Sequence, residues 1–181
     1  MEARLGKVRI ALQIDVGLGD SIVSGPEELE YPTLLKFPAP RLHAYSKESV
    51  VAEKFEAMVK LGIANSRMKD FYDLWVLAQR FEFDSANLAA AIQATFERPG
   101  VQRCRHRRQW PCGPISMIFQ RSRRNGGLFS KSRAPGNSSL HKIILIIQGF
   151  VMSVVEGILK NDIKVKVWPA GGPWKTGKKL S

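Results

Sequence analysis

Thiols are scarce in this chain: its 181 residues include two cysteines, Cys104 and Cys112. Lying eight positions apart, they do not make a disulfide framework. With His106 between them they offer three soft ligands, spaced Cys-x-His-x5-Cys. Structural zinc needs four ligands, with two of the cysteines close together, and only a chance approach of His141 would complete the set, so a zinc site is not expected. Acids are missing over a long stretch, with no Asp or Glu between Pro99 and Val155. A clean apolar run of membrane-spanning length is lacking too. The longest, Ile143 to Leu159, is short for a span and is broken by Gln148, Gly149 and Glu156, so it reads as a buried helix with no membrane partner. The opening "MEARLGKVRI" has no apolar leader region, so no signal peptide is expected and a cytoplasmic location is the default.

What the chain does have is positive charge, +12 net. Such a balance points to an anionic partner such as nucleic acid. Its placement matters more than its sum. Nine of the 28 Lys and Arg fall between Arg103 and Arg133, in the stretch that has no acids. Setting those nine aside leaves 19 basic residues against 16 acidic ones, so much of the basic character belongs to one segment. That segment, with "RCRHRRQWPC" at its head, has the makings of a nucleic-acid arm, in which arginines beside Trp110 grip phosphates and stack on bases. A solvated basic linker fits the same composition.

Periodicity sets out the rest. Val8 to Val16 alternates, with Val8, Ile10, Leu12, Ile14 and Val16 on one side, which predicts a half-buried strand with Asp15 on its less apolar face. Residues 24–40 read mostly as loop, with a short strand at Thr33 to Phe37. Ser46 is placed to cap a helix running to about Ile63, with Val51, Phe55, Met58 and Val59 inward and Glu53, Glu56 and Lys60 outward. A second helix carries the stripe Phe71, Leu74, Trp75, Ala78 and Phe81. Asp84 caps a third, which ends at "RPG", and a long apolar helix spans Ser139 to Lys160. A basic tail rich in Gly and Pro follows. The expected organisation is therefore 1–45 as part of a sheet, 46–98 helical, 99–138 basic and irregular, and 139–181 as a helix with its tail.

Three carboxylates and a lysine stand out against this background. Lys54 has apolar neighbours one helical turn away on both sides, Val50, Val51, Ala57 and Met58. It either snorkels to water or meets a buried anion, a phosphate among the choices. Asp70 and Asp73, in "RMKDFYDLW", share a face near a helix start. Paired carboxylates of this kind bind Mg²⁺ or take a proton from an attacking hydroxyl. They also simply favour the helix dipole, and Lys69 stands at the spacing to pair with Asp73. Asp15 is a carboxylate in mid-strand, where Asp is disfavoured unless it faces solvent or a metal.

The blocks "LQIDVGLGD", "EYPTLLKFPAPRLHAYSKESVVAEKFEAMVKLGIANSRMKDFYDLW" and "WPAGGPWK" resemble the AbiEii/AbiGii toxin family of nucleotidyltransferases, toxins of type IV toxin–antitoxin systems. The resemblance is dense from about Arg4 to Arg98 and returns from about Ser139 to Lys175. It implies an α+β fold, a DNA polymerase β-like nucleotidyltransferase with a mixed sheet followed by a helical C-terminal part. It implies Mg²⁺-dependent transfer of a nucleotide from an NTP to an acceptor, tRNA in some members, and a cognate antitoxin as partner. On matching positions it makes Lys54 a triphosphate contact, Arg67 a further nucleotide contact, Asp70 a catalytic acid supported by Asp73, and Asp15 a metal-binding carboxylate.

Two departures accompany the resemblance. The fold's Gly-Ser turn and paired strand carboxylates are expected upstream of "LQIDVG", and residues 1–14 do not supply them. Two-metal phosphoryl chemistry needs those carboxylates, so a truncated chain with little activity of its own is expected. The basic segment also breaks the pattern, in the manner of a GC-rich gene read in a shifted frame. The competing expectation is a basic remnant, not an enzyme, that binds nucleic acid or an antitoxin.

Overall fold

The computed structural model describes residues 2–11, 13, 23, 25–61, 68–98 and 140–177. Seven short strands and four helices occur among them, in the order β1 (Glu2–Leu5), β2 (Val8–Ala11), β3 (Glu27–Glu30), β4 (Arg41–Ala44), α1 (Lys47–Leu61), α2 (Met68–Arg80), β5 (Phe83–Asp84), α3 (Ser85–Glu97), α4 (Leu140–Lys160), β6 (Lys166–Trp168) and β7 (Lys175–Thr176).

The helices start where capping chemistry directs. The Ser46 hydroxyl accepts from the Ser49 amide at 3.2 Å, one turn into α1. Asp84 Oδ1 accepts from the amides of Ala86 at 2.7 Å and Asn87 at 3.2 Å, which fixes the first turn of α3. Arg98 ends α3 in an extended conformation ahead of Pro99, as the "RPG" signal predicts.

The core lies among the four helices. α1 packs against α2 and α3, and α4 closes the arrangement against the same two helices. Val51, Phe55 and Met58 of α1 meet Phe71 and Leu74 of α2, Leu88 and Ile92 of α3, and Ile144, Ile147, Phe150 and Val151 of α4 in one buried cluster. Part of α4, Lys142–Lys160, is long and apolar enough to cross a membrane by length and composition. One face of it, Ile143, Ile144, Ile147, Phe150, Val151, Val154 and Val155, is buried in this core, while Leu145 is exposed.

The tail after α4 is tied to the helices by its tryptophans. Trp168 Nε1 and the Gly171 amide both donate to the Ala78 carbonyl, at 2.8 and 3.0 Å. That carbonyl lies in the last turn of α2, where no intrahelical donor remains, so the tail supplies the cap. Gly172 has φ +69, and a Cβ there would overlap the Trp168 indole. Only glycine lets the backbone pass so close.

The described residues mix helices with small sheets, the α+β arrangement expected. Every strand pairing among them is antiparallel, in two separate hairpins, β1–β2 and β3–β4, and a small three-stranded sheet, β5–β6–β7. Other expectations are corrected. Of the half-buried strand expected over Val8 to Val16, the described part, β2, is an exposed ribbon, with Val8 60% and Ile10 43% exposed, because no second layer covers it among the described residues; Asp15 lies outside them. Residues 34–37 form a bend, and the strands lie on either side of it at β3 and β4. Alternation is hard to see there because three of the four β3 residues are Glu. Phe81 is exposed, and Phe83 takes the core position in its place, since α2 ends at Arg80. Glu56, expected on the outer face, is buried, because α1 is flanked by helices on more than one side.

Candidate functional site

The "EKFEA" stretch of α1 reaches in several directions at once. Glu53 accepts from the Arg98 guanidinium at 2.9 and 3.4 Å, which ties α1 to the end of α3. Arg98 also places a positive charge at the C-terminus of α3, where the helix dipole favours it. Phe55 enters the core against the Phe96 ring, with centroids 5.6 Å apart. Lys54 points the other way, to α2. Its position among Val50, Val51, Ala57 and Met58 left a choice between water and an anion, and the anion is what it meets.

Lys54 Nζ donates to Asp73 Oδ2 at 2.7 Å and lies 3.8 Å from Asp70 Oδ1. One ammonium thus bridges both carboxylates of the "KDFYDL" motif. Asp73 pairs with Lys54 rather than with the exposed Lys69 at its own helical spacing. Access differs among the three. Asp70 keeps 5% of its side chain exposed, while Lys54 and Asp73 keep about a quarter, at 25% and 26%. A solute approaching this face therefore meets Lys54 and Asp73 first, with Asp70 behind them. Asp70 also sits in the first turn of α2, so its negative charge is favoured by the helix dipole.

The pairing is suited to an anionic ligand. A lysine held by carboxylates is kept in place, and an incoming phosphate can take over from the more exposed acid. Asp15 and Arg67 lie outside the described residues. A magnesium ion needs several oxygen ligands free to face it. Among the described residues no group of three or more His, Cys, Asp or Glu is placed to hold a metal, and Asp70 and Asp73 already face an ammonium. These residues alone do not fit a Mg²⁺ site.

The nucleotidyl transferase AbiEii toxin model, of type IV toxin–antitoxin systems, matches residues 1–135. That is well over half of the chain and includes Lys54, Asp70 and Asp73. The chain belongs to the AbiEii toxin family. AbiEii chemistry uses an NTP and a divalent metal, and a type IV system pairs the toxin with a cognate antitoxin. The match runs on through the basic segment to residue 135, where a break had been expected at about Gly100, and it does not extend to α4 or the tail. No curated protein and no solved structure matches the chain.

The Glu53–Arg98 pair and the tail's cap on α2 were missed in the sequence. Arg98 beside the helix-ending proline was the available signal for the first. The two glycines between tryptophans were the signal for the second.

Proposed function

We propose that this chain carries the lysine and aspartate part of an AbiEii nucleotidyltransferase, which moves a nucleotide from an NTP to an acceptor such as tRNA. The observation that supports this reading is the meeting of Lys54 with Asp70 and Asp73. In the reaction an acceptor hydroxyl oxygen bonds to the α-phosphorus of the NTP, the bond to the β-phosphate bridge breaks, and pyrophosphate leaves. Lys54 releases Asp73 and neutralises the triphosphate and then the departing pyrophosphate. Asp70 takes the proton of the hydroxyl, once substrate binding opens the pair; hydrogen bonds of this kind often tighten only with substrate in place. Asp73 positions Lys54 between turnovers. Arg67 is proposed as a second contact to the nucleotide, and Asp15 as a strand carboxylate for the metal.

This part supplies half of the machinery. Phosphoryl transfer by two metals needs carboxylates on both ions, and residues 1–14 do not contain the Gly-Ser turn and acidic pair that provide them. The chain by itself is therefore expected to transfer little nucleotide. We place it in the cytoplasm, where NTPs and tRNA are found, with the antitoxin as its protein partner. The test is incubation with Mg²⁺, labelled NTPs and total tRNA. Label transfer near background is the expected result, and robust transfer overturns the half-site account.

A further inference from the structure

The tail motif "WPAGGPWK" has no part in the chemistry above, yet it is built with care. Between Glu156 and Ser181 there are six lysines and two acids, Glu156 and Asp162. A cleft of about 170 Å³ opens there between the end of α4, the start of α3 and the tail, and Lys160, Lys164, Lys166 and Trp174 line it together with those two acids.

The cleft has an aromatic wall and a rim on which three lysines outnumber two acids. Trp174 is held on several sides. Its Nε1 donates to the Phe150 carbonyl at 2.9 Å, its ring stacks on Phe150 at 14° and 5.9 Å, and its edge meets Trp168 at 5.5 Å. It remains partly exposed at the cleft. The strand bearing the lysines is fixed as well. Ser85 Oγ donates to the Lys164 carbonyl at 2.9 Å and accepts from the Lys166 amide at 2.8 Å. Lys164 and Lys166, two apart on extended chain, share a face.

The lysines are available. Lys160 and Lys164 lie 4.0 Å from Glu156 and Asp162, respectively, in exposed pairs worth little in water. Lys166 is half-buried and has no carboxylate within ion-pair reach among the described residues. An indole fixed beside three ammonium groups is the arrangement that takes a stacked base and its flanking phosphates. The volume suits one phosphate with part of a base, which favours a strand passing through over an enclosed small molecule.

We propose that the cleft at Trp174, Lys164 and Lys166 binds single-stranded RNA through one stacked base and its adjacent phosphates, independently of Lys54. The test uses the full chain and a short single-stranded RNA carrying 4-thiouridine, cross-linked by light and mapped by mass spectrometry. The cross-link is expected in residues 167–175. Lys164→Glu with Lys166→Glu should weaken it about 10-fold or more and lower the salt slope of binding by about 1 to 2. Both side chains lie at the cleft rim, so the fold should hold, which circular dichroism checks. Lys7→Glu, on the first hairpin, and Lys54→Met should leave the cross-link unchanged. AMP should compete better than inorganic phosphate. Cross-links confined to 101–137, loss of the signal with Lys54→Met, or equal competition by phosphate and AMP would each overturn the proposal.

Discussion

Lys54 and Asp73, nineteen residues apart in sequence, meet at 2.7 Å across the α1–α2 interface. The contact joins the two most distinctive motifs of the chain and sets the lysine before Asp70. Removing the ammonium takes a cation away from two carboxylates, the buried Asp70 and the half-buried Asp73, so Lys54→Met should cost about 2 kcal/mol of stability. Asp73→Asn should cost less. Denaturant titration of the two single variants and the double variant should show a coupling of about 1 kcal/mol or more. Additive effects would mean that the pair is not formed in solution.

Glu53 and Arg98 form the matching tie to α3, through two hydrogen bonds and partly buried. Arg98→Ala is expected to lower stability by about 1 kcal/mol, measured by thermal melting. Arg98→Lys should recover only part of that, because a lysine cannot bridge both oxygens.

Gly172→Ala tests the tail. The added methyl overlaps the Trp168 indole and the residue has a positive φ. A loss of about 2 kcal/mol or more is expected, together with a change in tryptophan fluorescence as Trp168 leaves the Ala78 carbonyl. A melting temperature within a degree of the parent would show that the tail does not dock.

Glu48 gives a pH dependence. Burial pushes its carboxyl above the ordinary 4.5, and the carboxylates of Glu27 and Asp84 push the same way, against its own backbone amide and Lys47. The folded state therefore binds the proton more tightly than the unfolded chain does. Stability contributed at this site is present below 4.5 and is lost as pH rises through the folded value. Glu48→Gln should raise the melting temperature at pH 7, and the gain should vanish at pH 4. The gain is held down by the start of α1, where the dipole favours the anion. A gain that persists unchanged at pH 4 contradicts this origin.

The helical part was legible because its signals are local. Ser46, Asp84 and the proline after Arg98 mark ends through contacts within a few residues, and the stripes of α2 and α4 show which side is buried. The meeting of Lys54 with Asp70 and Asp73 was only half legible. Apolar neighbours show that Lys54 needs a partner, but the partner comes from another helix. The hairpins were obscure for the opposite reason. Val8 and Ile10 alternate as a half-buried strand does, yet what covers a strand is set by other parts of the fold and not by its own pattern. Phe81 and Phe83 show a finer limit, since both fit a core position and only the end of α2 at Arg80 decides between them. Glu56 shows that a helix packed on several sides defeats any two-faced reading.

The central claim is that Lys54 belongs to a nucleotide site, and equilibrium binding of labelled NTPs to the intact chain tests it most directly. The chain should bind at least one of the four NTPs. Lys54→Met, confirmed as folded, should weaken that binding about 10-fold or more, as expected for losing one charge-assisted phosphate contact. Equal binding by parent and variant, or no binding by the folded parent, would contradict the claim.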